Sequence, residues 1–394
     1  MESGIALMND KPLYFDYQGS TPTDRKVFDA MLPYYEAEFG NPHSGEHLHG
    51  QSASAAIEAA RREIANCIGA DEDDVIFTSG ASEANNLAIL GTTRGHVGRR
   101  SKILVSKIEH SSVLEAASAS GLEVIYIPVD CDGHVDLGWL ASTLSNRVLL
   151  VSVGYVNNEI GTIQDIAQIA DLVQGSGALF HVDAAQAITS TAICASDYPI
   201  DFMSLSSHKA YGPKGIGALY IAPGRRNNLQ PLVFGGGQER GLRAGTLPTP
   251  LCVGFGSACT IAQNCGELER TNVAARRDYL LDRIRSLIPE TRLVGPHSRR
   301  HPGNLSLLMP IADARDLVQL LRPTLSCSTG SACHSGSEEP SHVLTSIGLS
   351  VSDAKRVIRL SLGRFTSQVD CDAAAEALAR CTAELKALDL AATA

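Results

Sequence analysis

The sequence predicts an α/β protein with a large domain built on a mostly parallel sheet, followed by a smaller α+β domain. Strand-like runs alternate with helical patterns from about residue 50 to 222. These runs are almost continuously apolar, which is typical of parallel strands covered by helices on both faces. After about residue 266 the chain changes to charged, amphipathic helical patterns. We therefore expect a large domain over residues 17–266 and a small domain formed by residues 1–16 and 267–394.

The individual elements follow from hydrophobic periodicity. Ser52–Ile68 places its apolar residues on one helical face and stops at Gly69, and Asp165–Val173 shows the same spacing. The uncharged stretch from Ala244 to Gly266 predicts a buried or half-buried helix. Charged or amphipathic helices are predicted at Glu267–Leu287 and Cys371–Leu388. The predicted strands are Val75–Thr78, Ile103–Ser106, Glu123–Pro128, Val148–Val153, Ala178–Asp183 and Asp201–Ser206.

Composition excludes several classes of protein. With 394 residues, 44% of them hydrophobic, the chain is not disordered, and its formal net charge of −10 argues against direct nucleic-acid binding. Ten cysteines without a CxxC motif argue against a disulfide scaffold and a structural zinc site, and we expect no bound metal. The N-terminus lacks the pattern of a secretory signal, and no stretch predicts a membrane span. We therefore expect a cytoplasmic protein.

The segment Ser204–Gly215 carries the strongest chemical signal. Polar residues including Ser206 and His208 leave a predicted strand and meet Lys209 before a Gly-Pro turn. The chain has eight lysines and twenty-five arginines, so a lysine at a strand end is notable. Lysine can lose its proton and form a Schiff base, which arginine cannot. An ordinary loop lysine is the competing interpretation.

Three other predicted strand ends carry polar groups. Thr78–Asn85 runs from a strand through Gly80 into a helix start, which is the general form of a phosphate cradle, although Ser82 could be only a helix cap. Asp183 ends an apolar strand, where it could keep a ring nitrogen protonated or simply cap the next helix. His110 also follows a strand, as either a structural or a functional residue. Because parallel strands share one carboxyl edge, these groups are expected to lie near Lys209.

Taken together, these motifs resemble the pyridoxal-phosphate-dependent cysteine desulfurases of the NifS/IscS type, in the class V aminotransferase group. The resemblance extends from Tyr14 to about Asp370. It implies the fold type I of pyridoxal-phosphate-dependent transferases. The motifs, in order, are Gly40-Asn41-Pro42-His43-Ser44, TSGASEANNLAI, EHSSVL, VNNEIG, HVDAAQ, SSHKAYGPKG, GGGQERGLRAGT, GSAC, EEPSHVL and IRLSLGRFT.

The resemblance implies a role for each matching residue. Lys209 would hold the pyridoxal 5'-phosphate and shuttle a proton, Asp183 would pair with its ring nitrogen, and His110 would stack on the ring and take part in proton transfer. Arg359 would bind the substrate carboxylate, for which its planar guanidinium is suited. Asn158 and Gln186 would lie near the ring oxygen, with Asn158 also near the substrate, and the phosphate would be bound by Ala81, Ser82, Ser206, His208 and, from a second subunit, Thr246.

The desulfurase reaction requires a thiolate that attacks the sulfur of L-cysteine, leaving L-alanine and an enzyme persulfide. The GSAC motif places this nucleophile at Cys333. Cys327 lies six residues earlier, and the residues alone leave both open. One reactive and one buried structural cysteine is the simplest account.

The resemblance also implies a homodimer and a sulfur-acceptor protein. The run Tyr17–Pro22 departs from the Ala-Ala-Thr-Thr-Pro-like run usual in the family, which affects the substrate pocket. The chain stops at Ala394, without the longer tail by which housekeeping desulfurases engage their iron–sulfur scaffold. This favours a dedicated sulfur supplier, as in DNA phosphorothioation, nitrogenase maturation or tRNA thiolation. The alternatives are a selenocysteine lyase or some other β-elimination enzyme on the same fold, and a non-catalytic sulfur carrier.

Overall fold

A seven-stranded sheet forms the centre of the larger unit of the protein. The computed structural model describes residues 11–329 and 340–393. Its strands are β1 (Leu13–Tyr14), β2 (Val75–Thr78), β3 (Lys102–Ser106), β4 (Glu123–Ile127), β5 (Val148–Gly154), β6 (Leu179–Asp183), β7 (Phe202–Ser206), β8 (Gly217–Ile221), β9 (Arg292–Leu293), β10 (Asn304–Leu308), β11 (Leu325–Ser326), β12 (Ser328–Thr329) and β13 (Val357–Ser361). The large sheet has the order β2–β8–β7–β6–β5–β3–β4.

Most of this sheet is parallel. Strands β3 to β7 pair in parallel, and β8 is antiparallel to both of its neighbours, β2 and β7. Strands β6, β7 and β8 are buried along their whole length, as expected for strands covered on both faces. The mostly parallel α/β architecture predicted from the sequence is thus confirmed. The sequence patterns had omitted β8, which follows a glycine-rich loop.

Helices cover both faces of the large sheet. Val151 and Val153 of β5 pack in one buried cluster with Ile166 and other residues of α8, whereas Leu150 packs in a second cluster with Ala84 of α4. The helices are α1 (Arg25–Met31), α2 (Pro33–Glu36), α3 (Leu48–Cys67), α4 (Ala81–Asn86), α5 (Thr92–Gly95), α6 (Ser111–Ser118), α7 (Leu137–Thr143), α8 (Ile166–Ser176), α9 (Thr249–Leu287), α10 (Ala314–Leu321), α11 (His342–Ser346), α12 (Val351–Ala354) and α13 (Gln368–Thr393).

The smaller unit is built on an antiparallel sheet of four strands in the order β12–β13–β10–β9. Its core combines this sheet with the second half of α9, with α10 and with α13. Strand β1 pairs in parallel with β11, and Asp16 forms a bridge to Ser361 of β13. The chain therefore passes along the smaller unit before it enters the larger one.

Helix α9 differs from the sequence prediction. The two helices predicted around residue 266 form one continuous helix of 39 residues, about 58 Å long at 1.5 Å per residue. Its glycines are tolerated because they allow close packing: a Cβ at Gly256 would lie 2.8 Å from the Cα of Ala60 in α3. Because α9 runs through position 266, the domain boundary placed there stays a prediction.

Helix α3 also begins earlier than predicted, at Leu48 rather than Ser52. Its cap is His47, whose Nδ1 accepts a hydrogen bond from the amide of Gly50 at 3.1 Å. Histidine is not among the residues usually expected at this position, so the start was missed. None of the helices in the described part of the chain is long and apolar enough to cross a membrane.

Candidate active site

The predicted residues meet in a cavity of about 540 Å³ at the carboxyl edge of the large sheet. Strands β2, β3, β5, β6 and β7 each end at this cavity, and Arg359 enters it from β13 of the smaller unit. Ligands of open α/β sheets bind at this edge. The cavity lining includes Ala81, Ser82, His110, Asn158, Asp183, Gln186, Ser206, His208, Lys209 and Arg359.

Lys209 ends a short helical turn, Ser207–Lys209, that directly follows β7. Its Nζ donates hydrogen bonds to the carbonyl oxygens of Gln18 and Gly19, at 2.6 and 2.7 Å. The hydroxyl of Thr21 donates to the carbonyl of His208 at 2.9 Å. The loop that departs from the family pattern thus lies directly against the lysine.

Asp183 is buried at the end of β6. Its Oδ1 accepts from the amide of Ala185 at 2.9 Å, and its Oδ2 accepts from Nδ2 of Asn85 at 2.7 Å. The carboxylate therefore caps the turn that follows it and is also fixed from α4. The contact with the turn agrees with the capping interpretation made from the sequence, whereas the pairing of Asp183 with a ring nitrogen stays a prediction.

His110 is the N-cap residue of α6. Its Nδ1 accepts from the amide of Ser112 at 3.1 Å. An acceptor role at Nδ1 means that the neutral ring carries its proton on Nε2. The helix cap thus selects the tautomer and fixes the plane of the ring at the edge of the cavity.

A helix start faces the cavity after β2. Gly80 is the N-cap of α4 and provides no side-chain cap, and the helix continues through a π-helical stretch into α5. The first-turn amides therefore point outward without a side-chain acceptor, which favours an anion. Gly217 of β8 keeps this turn close, because a Cβ there would lie 2.6 Å from the Cα of Gly80.

The nearby His208 is held in its neutral form. Burial lowers the pKa of His208 to about 4, and the adjacent positive charges of Lys209 and Lys214 act in the same direction. Its Nδ1 lies 3.1 Å from Oγ of Ser20. The ring can therefore act as a neutral hydrogen-bonding group beside an anion, whereas the two lysines supply the positive charge.

Two buried glutamates were not assigned roles from the sequence: Glu109, which lines the cavity, and Glu159, which follows the lining residue Asn158 in the chain. Burial raises the pKa of Glu109 to about 8, and the charge of Asp183 adds to this, although the amide of Gly154 donates to its Oε1 at 2.7 Å. Burial also raises the pKa of Glu159 to about 7, although the hydroxyl of Ser341, which donates to its Oε2 at 2.5 Å, acts to lower it. Glu109 is therefore largely protonated at neutral pH, and Asp183 is the charged carboxylate beside it.

Arg359 is fully buried in the lining of the cavity. Its Nη1 donates to the carbonyl oxygen of Asn158 at 2.8 Å, and its Nη2 forms an ion pair with Asp16 at 2.6 Å. The guanidinium is thus held by two fixed acceptors. It presents a localised positive charge to the cavity that Lys209 also lines.

Two predicted residues in the described part of the chain, Thr246 and Cys327, do not line the cavity. Thr246 is exposed on the loop before α9. Cys327 lies between β11 and β12, packed against the core of the smaller unit. Burial raises the pKa of the Cys327 thiol to about 12, with Asp16 adding to the effect and Arg359 opposing it. Cys333 lies outside the described residues.

The cavity fits pyridoxal phosphate by its unsatisfied polar atoms and its donor set. Four buried side-chain atoms of the lining have no hydrogen-bond partner among the described residues: Gln18 Nε2, Asn85 Oδ1, Glu109 Oε2 and Arg359 Nε. Leaving such groups unpaired is costly, so they are suited to a polar ligand. An amine, an aspartate and an uncapped helix start also match the aldehyde, ring nitrogen and phosphate of that cofactor.

Comparison with known proteins agrees with this geometry. Residues 13–373 match the family described as Aminotransferase class-V. Cysteine desulfurase IscS of Rickettsia typhi (strain ATCC VR-144 / Wilmington) is 44% identical over 364 residues, covering 92% of this chain and 88% of the relative. A solved structure described as a NifS-like protein superposes with a TM-score of 0.87 at 31% identity, covering 95% of this chain and 99% of the other. The structure of SspA in complex with cysteine superposes with a TM-score of 0.78 at 35% identity, covering 90% and 99%.

These matches extend over almost the whole length of the chain and include every strand that borders the cavity. The order of the strand-end motifs, the placement of Lys209 and the sequence identities all lead to the same assignment. The chain belongs to the aminotransferase class-V family, among the cysteine desulfurases of the IscS and NifS type.

Proposed function

We propose that this protein is a cysteine desulfurase that uses pyridoxal phosphate to convert L-cysteine to L-alanine. The sulfur passes to an enzyme thiol as a persulfide and then to an acceptor protein. The placement of Lys209, Asp183 and Arg359 around one cavity carries this proposal. The cofactor when bound supplies an electron sink for the bonds at the substrate Cα.

The cofactor would be held by residues that the cavity brings together. Lys209 would bind its aldehyde carbon, Asp183 its ring nitrogen, and the start of α4 with Ser206 and His208 its phosphate. The hydrogen bond from Asn85 fixes the rotamer of Asp183, so this carboxylate is oriented before any ligand enters. The protonated Glu109 adds no second negative charge beside it.

Two groups of the chain are suited to proton transfer. Lys209 Nζ is held at the cavity by hydrogen bonds to two main-chain carbonyls. Carbonyl oxygens only accept hydrogen bonds, so the lone pair of the neutral amine stays available to take up a proton. His110 carries its proton on Nε2, since Nδ1 serves the helix cap. We infer that Lys209 moves the Cα proton and that His110 Nε2 supplies a proton to the substrate, while Arg359 holds the carboxylate.

We assign the nucleophile to Cys333. The thiolate is the reactive form of cysteine, and the raised pKa of Cys327 keeps that thiol protonated at neutral pH. The Cys333 thiolate would attack the substrate sulfur, so that an S–S bond forms as the Cβ–S bond breaks. The enzyme keeps a persulfide, and the substrate carbon takes a proton to become L-alanine.

The test is the fate of sulfur in two matched variants. Cys333→Ser is expected to abolish persulfide formation, measured by intact-protein mass spectrometry after L-cysteine, whereas Cys327→Ser retains it. The reverse result would assign the nucleophile to Cys327. Lys209→Ala should stop alanine release. Unchanged alanine release from that variant, or a wild-type protein that binds no pyridoxal phosphate, would contradict the proposed function.

We also propose that two copies of the chain form the working enzyme. Phe39, Leu48 and Phe234 are large apolar residues with 70–79% of their surface exposed. The carbonyl of Val233 accepts from the amide of Ala244 at 3.4 Å, so Thr246 lies close to this exposed segment. A second copy that covers it would bring Thr246 toward the neighbouring phosphate site. Sedimentation should show a species of twice the chain mass of 41.8 kDa.

The cellular context is inferred from the same chemistry. The nine cysteines that the structure describes are all free thiols, which suits the reducing cytoplasm. The acceptor would be a protein that presents a thiol to the persulfide. A dedicated pathway such as DNA phosphorothioation stays a prediction, and trapping the persulfidated enzyme with its acceptor would identify it.

A further inference from the structure

Gln18 presents an unpaired hydrogen-bond donor to the active-site cavity. It is 1% exposed, and its Nε2 has no partner among the described residues. A buried amide group left in this state destabilises the ligand-free protein. The residue lies in the run Tyr17–Pro22 that departs from the family pattern, and none of the motif-derived roles includes it.

The orientation of the Gln18 amide follows from its neighbours. Arg300 can only donate, so the Asn304 side-chain oxygen that meets its Nη1 must be the acceptor. Asn304 Nδ2 is then a donor, at 2.6 Å from Gln18 and 3.0 Å from the carbonyl of Glu159. The Gln18 atom that faces Asn304 is therefore Oε1. The NH₂ group of Gln18 is left without a partner in the part of the chain that the structure describes.

A second unpaired donor belongs to Arg359, which also lines the cavity. Its Nε is buried with no partner among the described residues, whereas Nη1 and Nη2 meet Asn158 and Asp16. The segments that carry the two donors are in contact. Arg359 and Ser361 lie two residues apart in β13, so their side chains are on the same face of the sheet. Arg359 pairs with Asp16, and the hydroxyl of Ser361 accepts from the amide of Gln18 at 2.9 Å.

We propose that Gln18 Nε2 and Arg359 Nε together bind the α-carboxylate of the amino-acid substrate, one donor to each carboxylate oxygen. A carboxylate offers two oxygens that only accept, which matches two unpaired donors in the lining of one cavity. Gln18 also accepts from Lys209 through its carbonyl oxygen. One residue thereby joins the carboxylate site to the lysine, and it selects substrates that carry a carboxylate. This inference rests on the proposed function.

The test compares two ligands that differ only in the carboxylate, L-alanine and L-alaninamide, by calorimetric titration of the cofactor-loaded protein. Gln18→Leu should weaken L-alanine binding by about ten- to hundredfold, the factor expected for a hydrogen bond to a charged group. Binding of L-alaninamide should not change. Gln18→Glu keeps an acceptor for Asn304 but places a carboxylate oxygen at the donor position. It should weaken L-alanine further and strengthen L-alaninamide.

Three outcomes would overturn the inference. The first is unchanged L-alanine binding in both variants, and the second is an equal loss of affinity for L-alanine and L-alaninamide. The third is loss of the cofactor from the variants on dialysis while their affinity for the ligands is intact, which would mean that the Gln18 donor binds the cofactor. Melting temperatures of the loaded variants establish that they are folded. If the wild type binds L-alanine and the variants show any of these results, only the role of Gln18 is refuted. Failure of wild-type binding refutes the proposed function instead.

Discussion

The protonated Glu109 makes a quantitative prediction about pH and stability. Burial and the charge of Asp183 raise its pKa from 4.5 to about 8 in the folded protein. The folded state then holds a proton that the unfolded state has lost, so stability falls as the pH rises from about 4.5 through 8. The full effect is about 5 kcal/mol at 1.36 kcal/mol per pKa unit, and roughly half of it falls between pH 6 and pH 9.

Glu109→Gln removes this dependence, because glutamine mimics the neutral acid. The Gln side chain can still accept from the amide of Gly154, and its NH₂ group takes the place of the carboxyl oxygen that has no partner among the described residues. Urea unfolding of the wild type and the variant should give similar free energies near pH 5. At pH 9 the variant should be more stable by about 2 to 3 kcal/mol relative to the difference at pH 6.

The matched control is Glu115→Gln, which changes an exposed carboxylate on α6, the helix that begins just after Glu109. Its difference from the wild type should not vary over this range. If the Glu109→Gln and wild-type free energies run parallel from pH 6 to pH 9, then Glu109 does not change its charge there. The account of Asp183 as the charged carboxylate beside a neutral acid would then be wrong.

Two further predictions concern the supports of the site. Asn85→Leu removes the donor to Asp183 and should lower cofactor affinity about tenfold or more, measured by absorbance during dialysis; unchanged retention would show that Asp183 needs no such support. Arg61 forms a buried bidentate pair with Glu239, with both distances 2.8 Å, whereas the neighbouring Arg62 is exposed. Arg61→Met should destabilise by about 3 to 5 kcal/mol and Arg62→Met by less than about 1 kcal/mol in urea unfolding; equal effects would contradict the burial argument.

Part of the site could be predicted from local sequence because of the topology of parallel sheets. Asp183 is the last residue of a strand, and Lys209 and His110 each follow a strand within a few residues. The carboxyl ends of parallel strands meet at one edge. The strands themselves were recognisable as short apolar runs. The roles of individual residues required the resemblance to a family. Arg359 in particular lies within a strand of the smaller unit, where periodicity gives no signal for function.

The remaining features depend on contacts between distant parts of the chain. Gln18 meets Lys209 across 191 residues and Asn304 across 286 residues. The raised pKa of Glu109 depends on how completely its surroundings exclude water, which no local pattern encodes. The sequence did not predict that α9 is one helix, because its composition changes midway from uncharged to charged residues. The backbone nevertheless stays helical through that point.

The pairing of residues 13–18 with the last strands of the smaller unit has a consequence for biosynthesis. Asp16 meets Arg359, and Gln18 meets Ser361, across 343 residues each. At about 5–20 residues per second, the ribosome needs roughly 20 to 70 s to make the partners of a segment that emerged near the start of translation. The part of the cavity lined by Gln18 and Arg359 therefore forms only after nearly the whole chain has been synthesised. Nascent chains that stop before Arg359 would lack the carboxylate site altogether, so premature termination would yield no partly active enzyme.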